Sequence, residues 1–286
     1  MAGRSEARLA NARSRITAGT VHTMVVDLAS LRSIHEFAAN FTRRFGRVDI
    51  LINNAGVMLT PDLTRTEDGL ELQVGVNHFG AFALTGALLP ALKASSLDPA
   101  VDTRVVNVSS MLHRTNQAAA GVDWDNLNAE KKYDAADAYS VSKLCNLLFT
   151  AGFNAWAEER SLGVKAVTAH PGFSATNLTQ HMACGACLRC CFASPPSEGC
   201  LSILRAATDP DVQAGEFYGP RGSCGGGERE GPPELCVPSA AAQNKLDAVR
   251  LWDVSMHLTN VNFDEQLAQA LPDAAGGVAE SKAPRT

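Results

Sequence analysis

The sequence of 286 residues is long enough for one large α/β domain or two smaller ones, and 45% hydrophobic against 19% charged residues excludes a disordered chain and a minimal cross-linked scaffold. Twenty-five basic and thirty acidic side chains give a net charge of -5, so no global positive field exists to hold nucleic acid, and small-molecule chemistry is expected instead. In chain order, residues 1–15 carry no apolar run with a cleavage site, so no leader is read there and the eight cysteines are expected to be reduced thiols. A strand is expected at 24–28. The stripe Leu31, Ile34, Phe37, Phe41 and Phe45 predicts a helix capped by Ser30 and stopped by Gly46. A strand at 48–53, a helix at about 68–93, a strand at 104–109 and a helix at about 136–160 follow, the last with Val141, Leu144, Cys145 and Leu148 on one side. Strands at 164–170 and 216–218 complete the set. Glycine, proline and cysteine are dense at 182–199 and 219–238, which read as loops, and 273–286 reads as a tail. The longest apolar stretch, 81–92, is broken by Thr85, Gly86 and Pro90 and falls short of the ~20 residues of a transmembrane helix, so no membrane span is expected.

Short apolar runs alternating with helical periodicity predict a Rossmann-type, doubly wound parallel sheet in a single α/β domain, residues 1–272. Ligands of such sheets bind beyond the carboxyl ends of the strands. Three of those ends carry polar or glycine-containing groups: Asn53-Asn54-Ala55-Gly56, Ser109-Ser110 and His170-Pro171-Gly172. Tyr139 and Lys143 stand four apart on a helix and leave the same face; a nearby ammonium favours the phenolate, which lets a tyrosine exchange a proton with an alcohol or ketone. Taken alone, the pair reads more readily as a solvated surface pair. A serine hydroxyl at the end of the 104–109 strand can hold a carbonyl oxygen while the tyrosine donates to it. His170, His78 and His113 have no metal-ligand spacing.

These motifs resemble the short-chain dehydrogenase/reductase superfamily, and within it the retinol dehydrogenase and WW-domain-containing oxidoreductase-like branch. The resemblance is carried by Asn53-Asn54-Ala55-Gly56, Thr66-Glu67-Asp68-Gly69 before Val76-Asn77-His78, Val105-Val106-Asn107-Val108-Ser109-Ser110, Tyr139-Ser140-Val141-Ser142-Lys143 and His170-Pro171-Gly172. Gly215-Glu216-Phe217-Tyr218-Gly219-Pro220 and Leu251-Trp252-Asp253-Val254-Ser255 follow in order. The resemblance implies an enzyme that transfers a hydride between NADP(H), with NAD as the alternative, and a small lipophilic alcohol or carbonyl. Ser110 would position the carbonyl, Tyr139 would be the general acid/base, Lys143 would depress its pKa and hold the nicotinamide ribose, and Asn77 would support a proton-relay water. Arg4 would meet the adenosine 2′-phosphate, Asp27 and Leu28 the adenine, Asn53, Ala55 and Gly56 the ribose, Pro171 and Gly172 the nicotinamide, and Thr176 its amide or phosphates.

Two features depart from the family pattern. No Thr-Gly-x-x-x-Gly-x-Gly turn is present, and alignment of Ala2-Gly3-Arg4-Ser5 with the end of the family's second strand puts the start after the first strand and helix. The expectation is therefore a fold lacking that strand and helix, with no bridge from the strand around Val25 to the strand around Ile50, and the alternative function is a non-catalytic interaction protein. The second departure is Cys184-x-x-Cys187-x-x-Cys190-Cys191 with Cys200 beyond, which falls at the family's variable substrate loop and is expected to bind no metal. A cytoplasmic location is expected, with peripheral membrane contact and homo-oligomer formation left open.

Overall fold

The computed structural model describes residues 1–174, 194–224 and 231–270. Strand β1 (Ala2–Gly3) leads through Ser5, whose side chain caps the Arg8 amide, into α1 (Glu6–Arg13). Strand β2 (Met24–Val25) precedes α2 (Leu31–Phe45). Ser30 caps α2 by accepting from the Ser33 amide, and Gly46, at φ 74°, ends it in a left-handed conformation that a side chain would oppose. Both ends lie where the sequence places them, because α2 buries only Ile34, Phe37 and Ala38 and its caps act locally. After β3 (Ile50–Asn53), the expected helix at 68–93 divides into α3 (Leu72–Val74), a π-helical turn (Gly75–Phe79), α4 (Gly80–Ala87) and α5 (Leu89–Ser96). Pro90, lacking an amide hydrogen, sits in the first turn of α5, where that hydrogen would have no helical partner.

Strand β4 (Arg104–Val108), a 3₁₀ turn (Met111–Arg114), α6 (Asn116–Ala120), α7 (Ala135–Glu159) and β5 (Lys165–Ala169) follow. Helix α8 (Pro196–Thr208) occupies part of the segment expected to be loop; its two prolines suit a helix start, and its Ile203, Ala206 and Ala207 are buried. Strands β6 (Phe217–Gly219) and β7 (Glu234–Leu235) precede α9 (Lys245–Thr259) and α10 (Phe263–Ala270). Strand β7 pairs antiparallel with β6 inside the other expected loop. The expected tail at 273–286, Thr176, and Cys184, Cys187, Cys190 and Cys191 lie outside the described residues.

The main sheet has the order β3-β4-β5-β6-β7, parallel except at its last pair, and is covered on both faces. Alternation along β4 shows how: Val105 joins a cluster with Ile34, Phe82, Leu89, Phe149 and Phe153 from α2, α4, α5 and α7, whereas Val106 and Val108 join Ile203 and Ala206 of α8. Strands β1 and β2 form a separate parallel pair. Among the described residues no strand joins β1 to β3, the interruption expected between Val25 and Ile50. Its packing consequence is visible on β3, where Leu51 packs into the main cluster but Ile50 and Ile52 are each 38% exposed. Cys224 and Cys236 are joined in a disulfide, with Cα atoms 5.1 Å apart, which differs from the reduced thiols expected from the sequence. Their pairing depends on the β6–β7 hairpin, which carries no periodicity strong enough to read.

Candidate active site

In-register parallel pairing, Asn53 beside Asn107 and Val108 beside Ala169, brings the carboxyl ends of β3, β4 and β5 to one rim. Helix α7 is stitched to that rim. Its first turn is capped by Asp134, which accepts from the Ala136 and Asp137 amides at 2.9 Å each. Farther along, Ser109 Oγ donates to the Lys143 carbonyl at 2.7 Å, while Lys143 Nζ and Asn146 Nδ2 donate to the Val108 carbonyl at 3.1 and 3.0 Å. A spacing of four residues, about one helical turn, therefore leaves both Tyr139 and Lys143 facing the end of β4, and both are buried.

Ser110, the next residue after Ser109, caps the 3₁₀ turn by accepting from the Leu112 amide at 3.2 Å. Its hydroxyl lies near the Tyr139 phenol and tends to lower that phenol's pKa. Asn77, in the π-helical turn, is fully engaged: Oδ1 accepts from the Val57 amide at 2.8 Å, and Nδ2 donates to the Val57 carbonyl and Ser142 Oγ, each at 2.9 Å. It thus clamps the loop after β3 to α7. The clamp brings Gly56 so near that a Cβ there would lie 3.0 Å from Asn77 Oδ1 and 3.5 Å from Lys143 Nζ. Only a glycine leaves the Lys143 ammonium open on that side. A π turn is a costly insertion, and here it turns Asn77 into the rim.

The electrostatics differ from the expectation that Lys143 depresses the Tyr139 pKa. Burial pushes the Tyr139 phenol up to about 12, and the nearby Ser110 hydroxyl only partly opposes this. Lys143 Nζ lies 5.7 Å from the centre of the tyrosine ring and is directed to the Val108 carbonyl. Burial lowers its own pKa to about 8. The resting site is therefore a protonated phenol beside an ammonium that is itself near its titration range.

Of the other expected site residues, Asn53 is buried: Nδ2 donates to Thr85 Oγ1 at 3.0 Å and to Asn107 Oδ1 at 2.9 Å, while Oδ1 is buried with no partner. Asn107 continues to Thr150 and Thr168, so a polar ladder runs beneath the strand ends. Ala55 follows at the exposed tip of the same loop. Pro171 and Gly172 leave the end of β5, and the Gly172 amide donates to His170 Nδ1 at 3.1 Å. Asp27 and Leu28 follow β2. The Asp27 carboxylate accepts from the Ala29 amide at 3.0 Å, and Leu28 lies against Gly80, where any side chain would strike its carbonyl. Arg4 is exposed at the end of β1. The structure thus gathers Gly56, Asn77, Ser110, Tyr139 and Lys143 around the end of β4, while Arg4, Asp27 and Leu28 belong to the separate strand pair. Three participants escaped sequence reasoning: Ser142, Asn146 and Thr150. Asn146 was detectable in principle, standing three residues after Lys143 and seven after Tyr139 on one helical face.

Comparison with known proteins adds the following. A family model described as short chain dehydrogenase matches residues 1–122. Retinol dehydrogenase 14 of Mus musculus is 36% identical over 248 residues, covering 84% of this chain and 67% of that protein. The chain spans about two thirds or less of several curated relatives, including 64% of the Homo sapiens retinol dehydrogenase 14. Among solved structures, an uncharacterised protein from Mycobacterium Paratuberculosis superposes with a TM-score of 0.71 at 34% identity, covering 92% of this chain and 84% of that one. An alcohol dehydrogenase from the archaeon Thermococcus sibiricus, complexed with 5-hydroxy-NADP, superposes with a TM-score of 0.52 at 18% identity, covering 76% and 83%.

Proposed function

The chain belongs to the short-chain dehydrogenase family, and from that premise we propose that it is an oxidoreductase moving a hydride between NADP(H) and a lipophilic alcohol or carbonyl compound. The observation that carries this reading is the meeting of Ser110, Tyr139 and Lys143 at the carboxyl end of β4. The residues present fit the nicotinamide-ribose half of such a cofactor. Gly56 offers bare backbone beside the Lys143 ammonium, and Tyr139 and Pro171–Gly172 border the same rim. When bound, the nicotinamide supplies or accepts the hydride. Lys143 would hold the ribose hydroxyls, Ser110 would donate to the substrate oxygen, and Tyr139, protonated at neutral pH, would deliver the proton to that oxygen in the reductive direction. Asn77 would hold Gly56 and Ser142 at fixed distance, which keeps the ribose site open. For NADP over NAD the support is Arg4, an exposed cation beyond β1 that suits a 2′-phosphate.

The lipophilic substrate class rests on the rim itself. Leu112 and Phe173, which follow Ser110 and Gly172 within two residues, are exposed, as is Val237, whose carbonyl accepts from Arg114. Exposed apolar side chains next in sequence to the reaction rim suit a substrate with one oxygen and a hydrocarbon body. Peripheral contact with a membrane holding such a substrate follows from the same rim; no single helix among the described residues is long and apolar enough to cross a membrane.

The interruption between β1 and β3 favours a second reading, a non-catalytic interaction protein that keeps the reaction shell without closing on the pyrophosphate. Titration calorimetry of NADPH into the chain separates the two. Micromolar binding is expected, and turnover of a retinoid or other hydrophobic aldehyde is expected to fall by at least about 10²-fold in Tyr139→Phe with NADPH affinity kept. Absence of binding, or unchanged turnover in the variant, favours the second reading.

A further inference from the structure

We propose that Cys224 and Cys236 form a thiol–disulfide exchange centre, opened by an external dithiol, and that His170 links its state to the Pro171–Gly172 turn. The two sulfurs are joined across the β6–β7 hairpin, whose pairing is closed by the Cys236 amide donating to the Phe217 carbonyl at 2.7 Å. They are unequal. Cys224 is partly exposed, whereas Cys236 is 4% exposed, so Cys224 is the side on which an incoming thiolate is proposed to attack. His170 Nε2 lies 3.5 Å from Cys224 Sγ and 3.8 Å from Cys236 Sγ. Its approach depends on Gly219, since a Cβ there would collide with Nε2 and stand 2.7 Å from Cys224 Sγ.

The protonation state of that imidazole decides what the cluster can do. Nδ1 accepts from the Gly172 amide at 3.1 Å, and burial keeps the ring neutral by lowering its pKa to about 3. The one ring proton is therefore on Nε2, aimed at the sulfurs. Three ligand-type atoms meet here, but a metal would need the Nε2 lone pair and free thiolates; a proton and an S–S bond occupy them. A donor aimed at sulfur instead stabilises a thiolate, the leaving group and nucleophile of exchange.

The step balances as follows. A thiolate of the dithiol attacks Cys224 Sγ and forms a mixed disulfide. The Cys224–Cys236 bond breaks, and its electron pair leaves on Cys236 Sγ beside the Nε2 hydrogen. The second thiol of the reagent then attacks its own sulfur in the mixed disulfide and expels Cys224 as a thiolate. The dithiol is oxidised to a cyclic disulfide, the protein pair is reduced, and the two protons of the reagent pass to the two cysteines. Cys236, once protonated, has the Glu234 carbonyl as its acceptor at 3.7 Å. Because His170 also holds the Gly172 amide, movement of the sulfurs changes the turn beyond β5. The effect on turnover rests on the cofactor reading of that turn; the exchange chemistry does not.

The test uses the full chain equilibrated in mixtures of reduced and oxidised dithiothreitol, quenched by alkylation and mapped by mass spectrometry. Cys224 and Cys236 are expected to become alkylated together in one two-electron transition, with buried Cys145 unlabelled until denaturation. In Cys236→Ser, oxidised glutathione is expected to modify Cys224, and in Cys224→Ser it is expected to leave Cys236 unmodified. His170→Asn keeps an acceptor for the Gly172 amide and removes the donor at sulfur. It is expected to slow the Cys224 reaction by about tenfold, with His170→Gln restoring most of the rate. Hydrogen exchange at the Gly172 amide is expected to quicken on reduction. A pair that stays closed at every ratio, equal modification of both cysteines, or an unchanged rate in His170→Asn overturns the proposal. Stoichiometric binding of Zn²⁺ by the reduced chain, lost in His170→Asn, also overturns it, in favour of a metal site. None of these readouts uses turnover, so a failed hydride-transfer reading leaves them intact.

Discussion

Lys143 is the residue in which position and chemistry are most closely joined. Its ammonium is satisfied by one carbonyl, that of Val108, and is otherwise buried, which lowers its pKa to about 8. Below that pH the charge is present for the ribose hydroxyl it is proposed to hold; above it the charge is lost. Carbonyl reduction is therefore expected to be flat from about pH 6 to 7.5 and to fall through a limb near pH 8, because Tyr139 itself, at about 12, stays protonated throughout. A kcat/KM profile measured to pH 10 checks this, and a profile with no limb before pH 10 would remove Lys143 from the assigned role. The sequence alone pointed to the Tyr139–Lys143 pair through its spacing. It did not reveal that desolvation dominates at the phenol, since burial belongs to the packed molecule.

At the scale of elements, α4 shows how the site is held. Its Phe82 is fully buried, with ring centres 5.2 Å from Phe149, 5.3 Å from Trp252 and 4.9 Å from Phe263. That aromatic cluster joins α4, α7, α9 and α10, so it fixes the π turn carrying Asn77 against the helix carrying Tyr139 and Lys143. Phe82→Ala is expected to cost about 3–5 kcal/mol in equilibrium urea unfolding. A loss below 1 kcal/mol would mean that the cluster is not what anchors α4. The expected single helix at 68–93 failed as an element because its apolar content is nearly continuous from Val74 to Leu92. Periodicity there cannot distinguish one helix from several, and the breaks are made by backbone geometry at Gly75–Phe79 and around Pro90.

On the scale of the whole molecule, three buried histidines make stability depend on pH. His78 and His170 are lowered to about 3 and His113 to about 4, all chiefly by burial. In the unfolded chain each would titrate near 6.5. Between those values the unfolded state binds more protons, so stability is fully present above about pH 6.5 and is lost as pH falls toward 4. Each contributes a slope of at most about 1.4 kcal/mol per pH unit. Urea midpoints measured from pH 7 to 4.5 are expected to fall steadily, with a shallower fall in His113→Gln; a flat response would contradict the buried neutral state. The two-part sheet belongs to this scale as well. Among the described residues the β1–β2 pair has no strand pairing with the main sheet, and α2, packed through Ile34 and Phe37, joins the two, together with Val26 and Leu28.

What the sequence determined by itself was whatever depends on local spacing and local caps: the alternation of strand and helix, the Ser30 and Gly46 boundaries of α2, the strand ends with their polar residues, and the Tyr139–Lys143 pair. Tertiary structure alone decided the matters that need two distant segments to meet. These are the Asn77 clamp on Val57 and Ser142, the rise of the Tyr139 pKa, and the joining of Cys224 to Cys236 under His170. The physical reason is range. Caps and helical faces are set within a few residues by backbone hydrogen bonds and side-chain periodicity, whereas desolvation and cross-strand contacts are set by which surfaces the whole chain packs together.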